Sequence, residues 1–182
     1  TDMTKLLTRL RTQSIEVLKL NREKRWQPRF LTITKEVTWF RHRSNGQSFV
    51  SGNGISVNSY PRGLLWLKKF DPSKPQHSNV LSSIDKNGKG GILFTDIEHV
   101  SVTKDNHPLS LKQRRKFKDG ITFVVHASSN TNGGTKSNRQ ILFRCSNKED
   151  AFALSSGFQA LLDRIKDDAK TDQSRSQGQL KK

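Results

Sequence analysis

The spacing of apolar residues changes once along this chain, and that change limits the folds open to it. Up to Cys145, apolar residues recur in short runs of period two, which is typical of half-buried strands. From Ser146 the period becomes 3.6, and one apolar stripe continues to about residue 166, as in a single amphipathic helix. Because strands and helices do not alternate along the chain, the pattern argues against a parallel α/β sheet.

Seven runs supply the predicted strands, and a tight hairpin at 34–36 joins the second to the third. The strands are expected at residues 15–20, 29–34, 37–40, 91–94, 97–102, 121–126 and 140–145. The pattern therefore predicts a mainly β domain, a small antiparallel barrel or sandwich with the helix plugging one end.

The remaining segments divide the chain. Residues 1–11 are interpreted as an N-terminal amphipathic segment, either a short helix or a frayed end, and 12–166 as the domain. Within it, residues 44–90 are rich in Gly, Ser and Asn and are interpreted as an insertion between strands 3 and 4. Residues 167–182 lack periodicity, so a disordered tail is expected.

Three shorter segments are also interpreted from their composition. The apolar run 64–67 either covers the barrel wall or inserts into a bilayer. The basic run 112–118 (KQRRKFK) is either a solvated loop or a nuclear localisation signal, and 128–138 is expected to be a flexible hairpin loop.

The sequence lacks the residues that several classes of function require. The single cysteine excludes a disulfide framework and a Cys-rich zinc site, and Cys145 is interpreted as a small core residue. Apolar runs are too short for a transmembrane helix or a signal peptide. The five histidines are scattered, and no hydrolase or nucleotide-binding motif is present. We therefore expect no enzyme activity, no metal and no cofactor.

Charge points to an anionic partner. Lys and Arg total 33 against 16 Asp and Glu, a net charge of +17, and residues 1–43 alone carry 11 basic and 4 acidic side chains. Nucleic acid is the first suspicion for such a chain. However, five phenylalanines fall on apolar faces that the core requires, and no aromatic RNA-binding strand or zinc-finger spacing is present, which argues against it; the five are Phe30, Phe40, Phe123, Phe143 and Phe158.

Basic residues cluster instead at predicted strand ends. Lys19 ends the first strand and Arg29 begins the second, so a hairpin brings together an ammonium and a guanidinium that can hold one phosphate. The other candidates lie on the intervening loop and at the end of the third strand: Arg22, Lys24, Arg25, Arg41 and Arg43. This convergence predicts a site for an anionic phospholipid headgroup.

The run WQPRFLTI, at residues 26–33, resembles the second strand of pleckstrin-homology (PH) domains. With Lys19 ahead of it, it is similar to their phosphoinositide-binding pattern, in which Lys19 and Arg29 hold the outer positions and Gln27 stands at the inner basic position. Residues 91–93 resemble the fourth strand of the family. Residues 150–158 resemble its C-terminal helix, most closely in the phospholipase-C type, with Leu154 at the place of a core Trp.

Trp39 followed by Arg41 and Arg43 also resembles the third strand of the phospholipase-C type. The resemblance implies a seven-stranded barrel capped by a helix, with a positive open end that binds phosphoinositide or phosphatidic acid. It further implies a cytoplasmic protein, peripheral at the cytosolic face of a membrane. The alternative is a PH-fold scaffold without specific lipid binding, whose protein partner contacts residues 44–90; Gln27 and the long insertion favour it.

Overall fold

A computed structural model describes residues 2–34, 37–39, 59–73, 90–130 and 136–179 of the chain. A short 3-10 turn, Phe94–Asp96, lies between the sixth and seventh strands. The helices are α1 (Asp2–Thr12), α2 (Leu111–Phe117) and α3 (Lys148–Gln179). The strands are β1 (Ile15–Leu20), β2 (Trp26–Ile33), β3 (Val37–Trp39), β4 (Ser59–Pro61), β5 (Gly63–Leu67), β6 (Gly91–Leu93), β7 (Ile97–Thr103), β8 (Thr122–Asn130) and β9 (Lys136–Cys145).

Seven of the strands form one antiparallel sheet in the order β6-β5-β2-β1-β9-β8-β7, and β3 pairs with β4 separately. The 3-10 turn joins the two edge strands, so the chain from Leu93 to Ile97 spans at most about 14 Å. Seven strands laid flat would separate these edges by about 29 Å. The sheet must therefore curl, although no pairing between β6 and β7 closes it into a barrel among the described residues.

The inner face of the curled sheet, which carries Val17 and Phe143, packs against α1 and α3. Leu10 of α1 and Phe158 of α3 are both fully buried there, and the rings of Phe158 and Phe94 lie 5.5 Å apart. An ion pair between Arg9 and Asp150 joins the two helices. The N-terminal segment is therefore helical, and it forms part of the domain core.

The outer face carries α2, at the place where the sequence predicts a basic loop. Phe117 of α2 packs with Leu18 and Trp26 of the sheet, and a capping box between Ser110 and Gln113 begins the helix. The prediction of a loop at 112–118 is wrong because Ser110 and Gln113 form a helix start and the buried Phe117 anchors the helix to the sheet.

A side chain from β9 holds this helix in place. Arg144 is buried, and its guanidinium donates to the carbonyls of Phe117 at 2.9 Å, Lys118 at 3.0 Å and Asp105 at 3.2 Å. Its three nitrogens thus satisfy three backbone oxygens on both sides of α2. The whole connection between β7 and β8 is tied to the sheet at this point.

The mainly β architecture with antiparallel strands and a C-terminal helix is confirmed, but the third strand of the sheet is not the predicted one. The strand next to β2 is β5, and Val37–Trp39 pairs with β4 instead. Leu64 and Trp66 lie in the inner core, and Leu65 is buried among outer-face apolar residues, so β5 is covered on both sides. The run 64–67 thus forms the wall of the sheet, inside the stretch interpreted as an insertion.

Several boundaries also differ from the predictions. Helix α3 continues past residue 166 to Gln179, into the predicted disordered tail, because no proline interrupts its backbone hydrogen bonds beyond the apolar stripe. Strands β8 and β9 extend to Asn130 and from Lys136, so the hairpin loop is shorter than 128–138. No helix in the described part of the chain is long and apolar enough to cross a membrane.

Candidate anion-binding site

Lys19 lies at the end of β1, on the inner face of the sheet and next to the turn that leads into β2. Its cross-strand neighbours are Gln27 on β2 and Phe143 on β9. The ammonium stands 5.5 Å from the centre of the Trp66 ring and donates one hydrogen bond of 3.4 Å, to the carbonyl of Leu20. A lysine is thus held half-buried over an aromatic floor.

Three arginines surround this lysine, and we call Lys19, Arg22, Arg29 and Arg139 the basic cluster. Burial lowers the pKa of Lys19 below its ordinary value, and the positive charges of Arg139, Arg29 and Arg22 lower it further, in that order. Burial and the charge of Arg22 likewise lower the pKa of Arg139. Each of the three arginines therefore repels Lys19, and Arg22 also repels Arg139, around the end of β1.

The basic cluster lacks an acidic counterpart in the described part of the chain. The ion pairs there involve other cations, for example Arg25 with Glu23 and Lys116 with Glu16. Repulsion without an internal carboxylate disfavours the folded state, and an external anion would relieve it. An ammonium beside guanidinium forks is the combination that phosphate oxygens accept.

Gln27 lies between the cations. Its Oε1 accepts a hydrogen bond of 2.7 Å from Arg29 Nη2, and its backbone pairs with Lys19. The Arg29 Nη1 donates to the carbonyl of Pro28, also at 2.7 Å. The glutamine therefore fixes the direction of Arg29 without neutralising it, which leaves the charge of the cluster intact.

Of the seven predicted site residues, Lys19, Arg22 and Arg29 are brought together. Lys24 and Arg25 are exposed on the β1–β2 turn, which is closed by hydrogen bonds of Asn21 with Arg25 and Lys24. Arg41 and Arg43 lie outside the described residues. That any of the seven binds lipid stays a prediction.

Arg139 is the member of the cluster that the sequence-based prediction missed. It precedes Ile141 and Phe143 on β9 at the two-residue spacing of the inner face, which is a signal the sequence contains. What the sequence does not contain is the pairing of β1 with β9, two strands separated by more than a hundred residues.

The comparisons with known proteins leave the site to be judged on its geometry. No protein-family model and no solved structure matches this chain.

Other reactive side chains give weaker evidence of a functional site than the basic cluster does. Ser101 Oγ lies 2.8 Å from His126 Nε2, but the other nitrogen of that ring faces the amide of Gln140 at 3.4 Å, not a carboxylate as in a hydrolytic triad. The described residues include no group of three or more His, Cys, Asp or Glu that could hold a metal ion. Burial, and then the charge of Asp150, raises the pKa of Cys145 to about 12, so its thiol stays protonated inside the core.

Proposed function

We propose that this chain is a PH-type module, without enzyme activity, that binds anionic phospholipid headgroups through the basic cluster. The observation that carries the proposal is the gathering of Arg22, Arg29 and Arg139 around Lys19 at the end of β1, where no carboxylate among the described residues relieves the repulsion on Lys19. The ligands it fits are phosphoinositide or phosphatidic acid, at the cytosolic face of a membrane.

Two further features support the proposal. The antiparallel sheet of seven strands followed by a C-terminal helix agrees with part of what the PH resemblance implies, although no strand pairing among the described residues closes the sheet into a barrel. Lys24 and Arg25 project from the turn beside the cluster, where they would approach the same anionic surface. Each Lys or Arg near such a surface contributes about 1 kcal/mol.

Co-sedimentation with vesicles tests the proposal. Vesicles of phosphatidylcholine alone are compared with vesicles that carry equal negative charge as phosphatidylserine, phosphatidic acid or a phosphoinositide. We expect the protein to bind the anionic vesicles only. Because two cations are lost, Lys19→Ala/Arg139→Ala should bind about thirtyfold more weakly.

The matched control is Lys5→Ala/Lys148→Ala, which removes the same charge from exposed positions outside the cluster. It should bind nearly as well as the original chain. Equal losses in the two double variants would show that net charge, not the cluster, governs binding. A failure to bind any anionic vesicle at low salt would overturn the proposal and favour a protein-binding scaffold.

A further inference from the structure

Leu111 begins α2 and is 82% exposed, the more exposed of two large apolar side chains that stand out from the described surface. The other is Phe152 on α3, which is 56% exposed. A single exposed leucine is ordinary on a soluble protein, so the exposure alone decides nothing. Three further features set Leu111 apart: its position in the fold, the hydrogen bonds that fix the start of its helix, and its positively charged neighbours.

The first turn of α2 lies at the end of the molecule that carries the β1–β2 turn. Gln113 Nε2 donates a hydrogen bond of 3.0 Å to the carbonyl of Trp26, the first residue of β2. Lys116, further along the helix, pairs with Glu16 in the body of β1. Helix α2 therefore runs away from the turn, with Leu111 beside it.

Leu111 is held in this exposed position. The Gln113 side chain accepts from the backbone N–H of Ser110 at 3.0 Å while it donates to Trp26, so one residue closes the helix start and fastens it to the sheet. Trp26 Nε1 in turn donates to the carbonyl of His107 at 3.2 Å. A leucine on a flexible loop could fold back onto the surface, but these hydrogen bonds fix the start of the helix that carries Leu111.

Cations surround the leucine on the helix. Arg114 and Arg115 lie three and four residues after Leu111 on the same helical face, and Lys112 follows it directly; all three side chains are exposed. An apolar side chain inside a ring of cations fits the boundary between anionic headgroups and acyl chains, where each kind of group finds its partner.

We infer that Leu111 inserts into the bilayer as an apolar anchor while the basic cluster, on the opposite face of the sheet at the same end, binds headgroups. This inference rests on the proposed function, since it adds a second contact with the same membrane. The proposed partner of α2 is a lipid surface, and binding of nucleic acid or of an acidic protein to α2 in its place would contradict the inference.

Substitutions separate insertion from simple attraction. With anionic vesicles, Leu111→Ala should weaken binding about tenfold, because the leucine no longer leaves water. The control Phe152→Ala removes the other exposed apolar group and should leave binding unchanged. Leu111→Lys is decisive: insertion predicts weaker binding, whereas attraction by charge alone predicts tighter binding and would overturn the inference.

A label at the position gives a readout besides affinity. In Leu111→Cys, an environment-sensitive fluorophore can be attached selectively in the native state because the one natural cysteine, Cys145, is buried. We expect its emission to shift to shorter wavelength with anionic vesicles, and the same label on Phe152→Cys to stay unchanged. Vesicle binding without a shift overturns the inference alone, and absence of vesicle binding overturns the proposed function together with it.

Discussion

At the scale of single residues, Lys19 links folding stability to the proposed binding. Its ammonium is half-buried among three arginines, so it opposes folding as long as it is charged. Lys19→Met keeps the length of the side chain over Trp66 and removes the charge. We expect the variant to be more stable at neutral pH by about 0.5–1 kcal/mol, the amount left once solvent screens the exposed part of the charge. Urea unfolding followed by tryptophan fluorescence measures it.

The same substitution has a pH signature. Because the folded-state pKa of Lys19 lies below its ordinary value of 10.5, the unfolded chain binds this proton more tightly between the two values, and stability rises with pH there. Lys19→Met lacks this rise, so its advantage should shrink as the pH approaches 10.5. An advantage that stays constant with pH would show that packing, not charge, is its cause.

Gln27→Glu places a carboxylate beside the basic cluster, which has none among the described residues. The new charge would face Lys19 across the strands and accept from Arg29, so we expect the free energy of unfolding to rise by about 0.5–1 kcal/mol. Binding to anionic vesicles should fall by about tenfold or more, because the internal anion competes with the headgroup. Gln140→Glu, on the outer face, is the control for added charge. Parallel changes in the two variants would contradict the assignment of the cluster.

At the scale of elements, the connection from α2 to β8 depends on Gly120. A methyl group on this residue would lie 1.7 Å from the carbonyl oxygen of Cys145, which is backbone and cannot swing aside. We expect Gly120→Ala to lower the free energy of unfolding by about 3 kcal/mol, as measured by denaturant unfolding. The neighbouring exposed Asp119→Ala is the control and should change stability little.

Elements with a clear period were predictable from the sequence, and elements defined by a distant partner were not. The alternation in β1 and β2 and the apolar stripe of α3 can be recognised within short stretches of the sequence. Strand β5 does not alternate because it is buried on both faces, and it lies in a Gly- and Ser-rich stretch, so it was interpreted as part of an insertion. Val37–Trp39 has strand propensity, but it pairs with β4.

The same distinction applies to the site. Lys19 and Arg29 come together because adjacent strands form a hairpin, which the sequence shows. Arg139 joins them only through the pairing of β1 with β9, and the apolar floor at Trp66 only through β5. A contact between strands far apart in sequence depends on the whole topology, and no local pattern specifies it.

At the scale of the whole molecule, the net charge of +17 predicts attraction to any anionic surface. The salt dependence of vesicle binding separates the charged contacts from the apolar contact of Leu111, because salt screens only the former. We expect vesicle affinity to fall steeply as salt rises. Lys19→Ala/Arg139→Ala should show a shallower dependence, since fewer charges take part. Leu111→Ala should be weaker at every salt concentration with the original slope, because the apolar contact is not screened. A shallower slope for Leu111→Ala would show that its effect passes through the neighbouring cations.

The hold of Arg144 on the backbone around α2 has a consequence for digestion by proteases. Six of the 33 lysines and arginines lie in residues 104–118, and five of them fall within 112–118, the densest seven-residue run of trypsin sites in the described chain. Cleavage requires a segment to detach from the fold, and here detachment must break three hydrogen bonds to one buried guanidinium. Trypsin should therefore cut the native connection slowly. In Arg144→Lys, where one ammonium replaces the planar guanidinium, the first cuts should appear early and within this connection.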